Sequence, residues 1–232
     1  MDPSMNSPGQ ERILALIPAY NEAARIGAVI EGARRHLPVL VVDDGSTDDT
    51  SARAKAAGAD VVRHEPNRGK GAALLAGFAR ALDGGWEAAV TLDADGQHDP
   101  AEIPAFLEAY RGGADLVIGA RDFSRMPRVR RLANSLGRRA FSWALGRDVP
   151  DNQSGYRLVG RRLMEAMLAS RETGFELEVD MIVACVRLDL KLRWVGIRTI
   201  YAGETSHIRA LPHVLNFLRI VGKTRRGARA PR

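Results

Sequence analysis

A single cysteine, Cys185, stands in the 232 residues, which excludes an internal disulfide and any Cys-rich metal site. It lies in the apolar run Met181-Ile-Val-Ala-Cys-Val186, so it reads as a buried, inert thiol in a protein of a reducing compartment. No apolar stretch reaches the 18 or so residues that a membrane-spanning helix requires, and no secretory signal pattern opens the chain. There is no Gly-x-Gly-x-x-Gly after the first apolar run and no Gly-x-x-x-x-Gly-Lys-Ser/Thr anywhere, so neither a dinucleotide fold nor a Walker-type nucleotidase is supported. Zinc-finger spacing and aromatic-interleaved basic strands are missing too, which argues against a nucleic-acid partner. Acidic residues are absent from two stretches. Arg125 to Arg147 carries seven arginines, and Lys223 to Arg232 carries five cations. They account for much of the net charge of +6 and suit anionic lipid headgroups or phosphorylated substrates as well as a solvated face.

What is present is the composition of an ordinary globular chain, 45% hydrophobic and 27% charged, long enough for one large α/β domain. Residues 1–10, polar and rich in Pro, Gly and Ser, read as a disordered leader. Short apolar runs at Ile13–Ile17, Val39–Val42, Val61–Val62, Ala88–Leu92 and Asp115–Gly119 read as strands. Between them the spacing predicts helices over about 22–35, capped by Asn21, from Ser46 or Thr47 to about Ala57, over 72–82 and over 100–110. This alternation implies a mostly parallel, doubly wound sheet with helices on both faces. Beyond residue 120 it breaks. An amphipathic helix is expected over about 128–145, a polar turn at Asp151–Arg157, helices over 161–170 and 176–188, a strand over 191–200, and a final apolar helix over 212–221 with a basic tail.

In a doubly wound sheet, ligands bind beyond the carboxyl ends of the strands. The polar clusters Pro18–Glu22, Asp43–Asp48 and Asp93–Asp99 all follow such ends and so converge on one rim. Taken alone, Asp93 and Asp95 read more readily as a solvated turn than as a metal site. Acid-bearing loops on one rim repel each other unless a cation or a donor-rich ligand sits among them. Hard oxygen donors of this kind suit Mg²⁺ or Mn²⁺.

The motifs Pro18-Ala-Tyr-Asn-Glu22, Asp43-Asp-Gly-Ser-Thr-Asp48, Asn67-Arg-Gly-Lys-Gly71, Asp93-Ala-Asp-Gly-Gln97, Gly119-Ala-Arg121, Asp151-x-x-Ser-Gly-Tyr-Arg157 and Phe175-Glu-x-Glu178 stand in a telling order. From residue 12 to about 210 the chain resembles the family 2 GT-A glycosyltransferases, and within them the dolichyl/polyprenyl-phosphate hexosyltransferases. The resemblance implies a GT-A fold over 11–210, followed by an amphipathic helix and basic tail over 211–232. It also implies an inverting transferase using a nucleotide-diphosphate sugar of the GDP-mannose or UDP-glucose type, a divalent cation (Mg²⁺ or Mn²⁺) and a polyprenyl-phosphate acceptor. Such an enzyme would be cytoplasmic and peripheral at the membrane, and a homo-oligomer is compatible with it.

Carried over by the same resemblance, Pro18, Tyr20, Glu22 and Asp44 would hold the nucleoside, with Val42 beside the base. Asp93 and Ala94 would approach ribose and diphosphate, Asp95 and Gln97 would hold the metal with Asp93 beside them, and Arg121 and Arg157 would face phosphate. Lys70 stands near a helix start, where it could bind diphosphate or be solvated. Asp43 is read as capping its helix, and His64 and His98 as non-ligands. A phosphate acceptor arrives ionised; a hydroxyl acceptor would need a base, for which Asp151 and Glu176 are equal candidates. One departure stands out. A loop that carries a lysine in soluble members of the branch reads Tyr201-Ala-Gly-Glu-Thr-Ser-His207 here, which leaves His207 and Arg209 as its phosphate contacts. A soluble acceptor, or a catalytically silent nucleotide-sugar or membrane-binding module, is the alternative reading.

Overall fold

In a computed structural model of the chain, the described residues are 11–121, 139, 142–143, 145–146, 148–151, 154–170, 174, 176–198 and 200. The expected leader, most of the 128–145 helix, the 212–221 helix, His207 and Arg209 lie outside them. The elements run β1 (Ile13–Ala19), α1 (Ile26–Arg34), β2 (Val39–Asp43), α2 (Thr50–Ala56), β3 (Asp60–Arg63), α3 (Lys70–Asp83) and β4 (Ala88–Thr91). A 3₁₀ turn at Pro100–Glu102 leads into α4 (Ile103–Arg111) and β5 (Leu116–Arg121). Then come β6 (Arg157–Gly160), α5 (Arg161–Met167), α6 (Glu176–Arg187) and β7 (Leu192–Ile197).

The strands form one sheet in the order β3-β2-β1-β4-β6-β5-β7. All pairings are parallel except those of β6, which runs antiparallel to both β4 and β5. Both faces are covered. Leu14, Leu16, Leu40 and Val42 pack under α3, α5 and α6, whereas Ile13, Ala15, Ile17, Val39 and Val41 pack under α1, α2 and α4. Burial on both faces explains why these strands read as continuous apolar runs rather than alternating ones. Gly77 of α3 lies directly over Leu16; a methyl there would run into the leucine Cδ1, so the small-residue helix sits close on β1.

Several local expectations change. β1 does not stop at Pro18 but continues to Ala19, with Pro18 in register with Val42. Leu92 N–H donates to Leu16 O, so Leu16 and, two residues on, Pro18 face β4, whose ladder ends at Thr91. The N–H that proline lacks therefore falls where no partner strand remains. Asn21 does not cap a helix from residue 22. It takes a positive φ of 55°, and α1 begins at Ile26, burying the expected Ile26, Val29, Ile30 and Ala33. Neither Ser46 nor Thr47 caps α2; the Asp48 carboxylate accepts from Thr50 N–H instead, 3.0 Å away. β6 was not anticipated, being four residues long and following directly on a polar turn. It decides the site, because an antiparallel strand brings its amino end to the rim where the parallel strands end.

Candidate active site

The strand order reverses at β1, from which the chain runs out to β2 and β3 and then crosses back to β4. The crevice beyond the carboxyl ends of β1 and β4 is therefore the topological switch point at which α/β sheets bind ligands. Three loops meet there, following β1, β2 and β4, together with the end of β5 and the segment entering β6.

The first two loops are stapled together. Asn21 N–H donates to Ser46 Oγ at 2.9 Å, and Thr47 N–H returns a bond to Asn21 Oδ1 at 2.8 Å. Glu22 N–H donates to Thr50 Oγ1 at 2.8 Å. The staple leaves Tyr20 on the rim with 49% of its surface exposed, beside Glu22, which pairs with Arg25 at 3.0 Å. Pro18 and Val42 are buried in the strands beneath.

The adjacent aspartates of the second loop are both buried. Asp43 accepts from Ser46 N–H (2.8 Å), Ser51 Oγ and Arg63 Nη1 (3.2 Å). Burial raises its carboxyl, but these donors outweigh it and hold the group below the usual carboxylate range. Asp43 thus braces the loop rather than capping the helix. Asp44 accepts from His64 Nδ1 (2.8 Å) and from the N–H groups of Arg68 (3.0 Å) and Gly69 (2.7 Å). It ties the Asn67–Gly71 loop to the end of β2, with Gly69 at a φ of 93° that favours glycine.

After β4 the chain turns through Asp93-Ala94-Asp95-Gly96-Gln97-His98. The Asp95 carboxylate accepts from Gln97 N–H and Gln97 Nε2, both at 2.9 Å, in a tight turn made by Gly96 at a φ of 77°. Ala94 is buried. His98 is buried, and its Nδ1 accepts the Asp93 N–H at 3.1 Å while its ring lies 5.0 Å from that of Tyr156. Burial drives its pKa down, and an accepting Nδ1 belongs to the neutral imidazole.

The centre of the site is a line of alternating charges. Lys70, the first residue of α3, has its Nζ 2.6 Å from Asp93 Oδ1 and 2.9 Å from Glu178 Oε1. Burial opposes the lysine charge, but the two carboxylates outweigh it and raise its pKa. Asp93 is likewise pushed up by burial and held low by Lys70, with Arg121 adding to it. Gly155 lies against this pair: a methyl on it would stand 2.8 Å from Asp93 Oδ2 and 2.9 Å from Lys70 Nζ. Beside it, Arg121 at the end of β5 makes a two-pronged ion pair with Asp151, Nε to Oδ2 at 2.6 Å and Nη2 to Oδ1 at 3.0 Å. Asp151 is buried. Arg157 is fully buried beneath the rim, its guanidinium donating to the carbonyls of Ser154 (2.8 Å) and Glu178. Burial lowers its pKa against the pull of Glu178, Asp151 and Asp93.

The structure therefore brings Pro18, Tyr20, Glu22, Val42, Asp44, Lys70, Asp93, Ala94, Asp95, Gln97, Arg121 and Asp151 to one rim or directly beneath it. It sets Arg157 deeper, against carbonyls rather than on the rim surface. Of the two base candidates, Asp151 is clasped by Arg121, and Glu176 begins α6. Two residues to which sequence reasoning gives no role, Glu178 and Gly155, stand against the Asp93–Lys70 pair, and His64, read as a non-ligand, hydrogen-bonds Asp44. Glu178 had one signal, its place in Phe175-Glu-x-Glu178; the partners of His64 are more than three residues away and carry no spacing.

Asp95, Gln97 and Asp93 offer carboxylate and amide oxygens on the half-buried face of one turn. Among the described residues no group of three or more His, Cys, Asp or Glu forms a metal cage. A short set of hard oxygens suits Mg²⁺ or Mn²⁺, ions that complete their shells with water and phosphate oxygens.

Among the described residues, one antiparallel strand in an otherwise parallel seven-stranded sheet, with an Asp-x-Asp turn at the switch point, is the architecture of the GT-A fold. The profile described as "Glycosyl transferase family 2" matches residues 15–168. The chain is 34% identical to the undecaprenyl-phosphate mannosyltransferase of Micrococcus luteus, over 78% of this chain and 80% of that one. It is 36% identical to the polyprenol monophosphomannose synthase of Mycolicibacterium smegmatis, over 84% of this chain and 76% of that one. Among solved structures it is similar to glucosyl-3-phosphoglycerate synthase from Mycobacterium tuberculosis in complex with Mn²⁺, uridine diphosphate and glucosyl-3-phosphoglycerate. The TM-score is 0.70 and the identity 26%, covering 96% of this chain and 81% of that chain. The chain belongs to glycosyl transferase family 2, in its polyprenyl-phosphate branch.

Proposed function

We propose that the protein transfers a hexose, with inversion, from a nucleotide-diphosphate sugar of the GDP-mannose or UDP-glucose type to a polyprenyl phosphate at the cytoplasmic face of a membrane. The observation that carries this reading is the rim itself. The Asp93–Gln97 turn stands beside Lys70 and Arg121, so oxygen ligands and cations meet where a diphosphate would lie.

Tyr20, with Pro18, Glu22 and Val42 around it, would seat the nucleoside, and Asp44 would shape that seat through the Asn67–Gly71 loop. Asp93 and Ala94 would face ribose and diphosphate. Asp95 and Gln97, with Asp93 beside them, would hold Mg²⁺ or Mn²⁺, which supplies charge neutralisation for the departing nucleoside diphosphate. An oxygen of the acceptor phosphate attacks the anomeric carbon, and the bond from that carbon to the diphosphate oxygen breaks with its electron pair leaving on the diphosphate. The attacking oxygen is already ionised, so no proton has to be removed. Arg121, oriented by Asp151, has the fork geometry that matches phosphate oxygens. His207 and Arg209 would add phosphate contacts. Arg157 would support the rim from below through its bonds to Ser154 and Glu178.

The membrane reading rests on the basic clusters and on the two relatives. No helix among the described residues is long and apolar enough to cross a bilayer. The segments 128–145 and 212–232 would supply the peripheral contact. A second reading, a soluble phosphorylated acceptor, is favoured by the likeness to the synthase structure that holds glucosyl-3-phosphoglycerate.

Both are tested by incubating the purified chain with labelled GDP-mannose or UDP-glucose, Mn²⁺, and either polyprenyl phosphate in vesicles or small phosphorylated acids. Label should pass to the lipid, and Asp95→Ala should abolish that transfer. Transfer only to the soluble acids, with vesicle binding unchanged by removing residues 211–232, would establish the second reading. Near-full activity of Asp95→Ala would end the proposed mechanism.

A further inference from the structure

We infer that Glu178, buried on the first turn of α6, is a positioning residue that, through Lys70, sets the electrostatic balance beside Asp93 and its orientation. The inference rests on the metal-and-donor reading of the rim. Lys70 is the first residue of α3, where the helix dipole disfavours a cation, and no acidic residue lies in that helix's first turn. A lysine there is stable only if anions from elsewhere compensate it. Asp93 supplies one at 2.6 Å and Glu178 the other at 2.9 Å.

Glu178 is 5% exposed, and its Oε1 faces the lysine ammonium. Its own peptide carbonyl is fastened by the buried Arg157, which fixes where the side chain starts. Gly155, packed against Asp93 and Lys70, closes the other side. The lysine is thus held between two carboxylates, only one of which belongs to the rim.

The consequence is electrostatic. With Glu178 charged, the trio Asp93–Lys70–Glu178 carries a net charge of −1. Without it, Lys70 would cancel Asp93 completely, and the rim would present a neutral pair to an incoming cation. Glu178 therefore keeps the Asp93 side of the rim negative enough for a divalent ion while Lys70 keeps it from repelling a diphosphate. One unit charge at this range, incompletely screened, alters a divalent ion's affinity by about tenfold or more.

The test uses the full chain and two binding measurements besides turnover. Mn²⁺ binding is followed by electron paramagnetic resonance in the presence of GDP or UDP, and binding of the same nucleotide alone is followed by calorimetry in EDTA. Glu178→Gln should weaken Mn²⁺ binding about tenfold and strengthen metal-free nucleotide binding several-fold, because a negative charge has gone. A merely structural role would weaken both, and that result, or unchanged values for both, overturns the inference. Should Glu178→Gln fail to fold, Lys70→Gln and the pair Lys70→Gln/Glu178→Gln carry the test. The single change should tighten Mn²⁺ binding and the pair should return it towards wild type; equal affinities in the two would refute the coupling. Wild-type protein that binds no Mn²⁺ with either nucleotide would instead refute the metal reading of the rim, and this inference with it.

Discussion

Gly155→Ala is the sharpest probe of the site's packing. Gly155 does not have a positive φ, so an alanine meets no backbone strain there. What it meets is the ion pair. Its methyl would stand 2.8 and 3.0 Å from the two Asp93 carboxylate oxygens and 2.9 Å from Lys70 Nζ, where ordinary contact begins at 3.4 Å. The pair must therefore withdraw by about half an ångström. The backbone cannot recede instead, because Thr91 Oγ1 donates to Gly155 O at 2.7 Å and fixes the segment to β4. Overpacking of this kind costs about 1–3 kcal/mol. For a chain of this size that lowers the melting temperature by about 2–12 °C. A 1 Å misplacement of a reacting group costs about a hundredfold in rate, so half that displacement of Asp93 should cost about tenfold in kcat/KM. Differential scanning fluorimetry and donor kinetics measure the two effects separately. A Gly155→Ala protein melting within about 1 °C of wild type, with unchanged donor kinetics, would show that Asp93 and Lys70 are not held against this glycine.

Three other perturbations follow from the same contacts. His64→Ala removes the side-chain donor of buried Asp44 and should cost about 1–3 kcal/mol, read as a lower urea midpoint, with a weaker apparent affinity for the donor as the 67–69 loop loosens. Asp43→Asn should destabilise the protein by about 2 kcal/mol at neutral pH. Because the folded carboxyl titrates below its ordinary value of 3.8, its contribution is present above that value and is lost as pH falls through the lower folded pKa. The stability gap between Asp43→Asn and wild type should thus close in strong acid, and a gap independent of pH would refute the assignment. Gly77→Ala should lower stability by about 1–3 kcal/mol with little change in donor affinity, since its methyl would strike the Leu16 side chain in the core under α3 rather than a rim side chain.

Much of the candidate site was legible in the residues, for a definite reason. Strands buried on both faces appear as apolar runs, and in a doubly wound sheet their carboxyl ends share one rim, so Pro18–Glu22, Asp43–Asp48 and Asp93–Gln97 could be brought together before any coordinates. Motif order, in turn, could place Arg121 and Asp151 in one list, but not clasp them. The staple of Asn21 to Ser46 and Thr47 was misread as two helix caps, because Asn, Ser and Thr cap helices and bridge loops with the same atoms. The sequence leaves Lys70 open between diphosphate and solvent, because its two carboxylate partners come from the turn after β4 and from α6, distant in sequence.

From the sequence alone, then, followed the parallel sheet, the rim and the Asp93–Asp95–Gln97 turn, because each depends on local periodicity and on the ends of strands. The tertiary structure alone decided that β6 runs antiparallel, that Arg157 is spent on buried carbonyls, and that Glu178 reaches Lys70 and Asp44 reaches His64. Those outcomes depend on which distant side chains meet once water is excluded, and a buried charge takes whichever partner the packing leaves within reach.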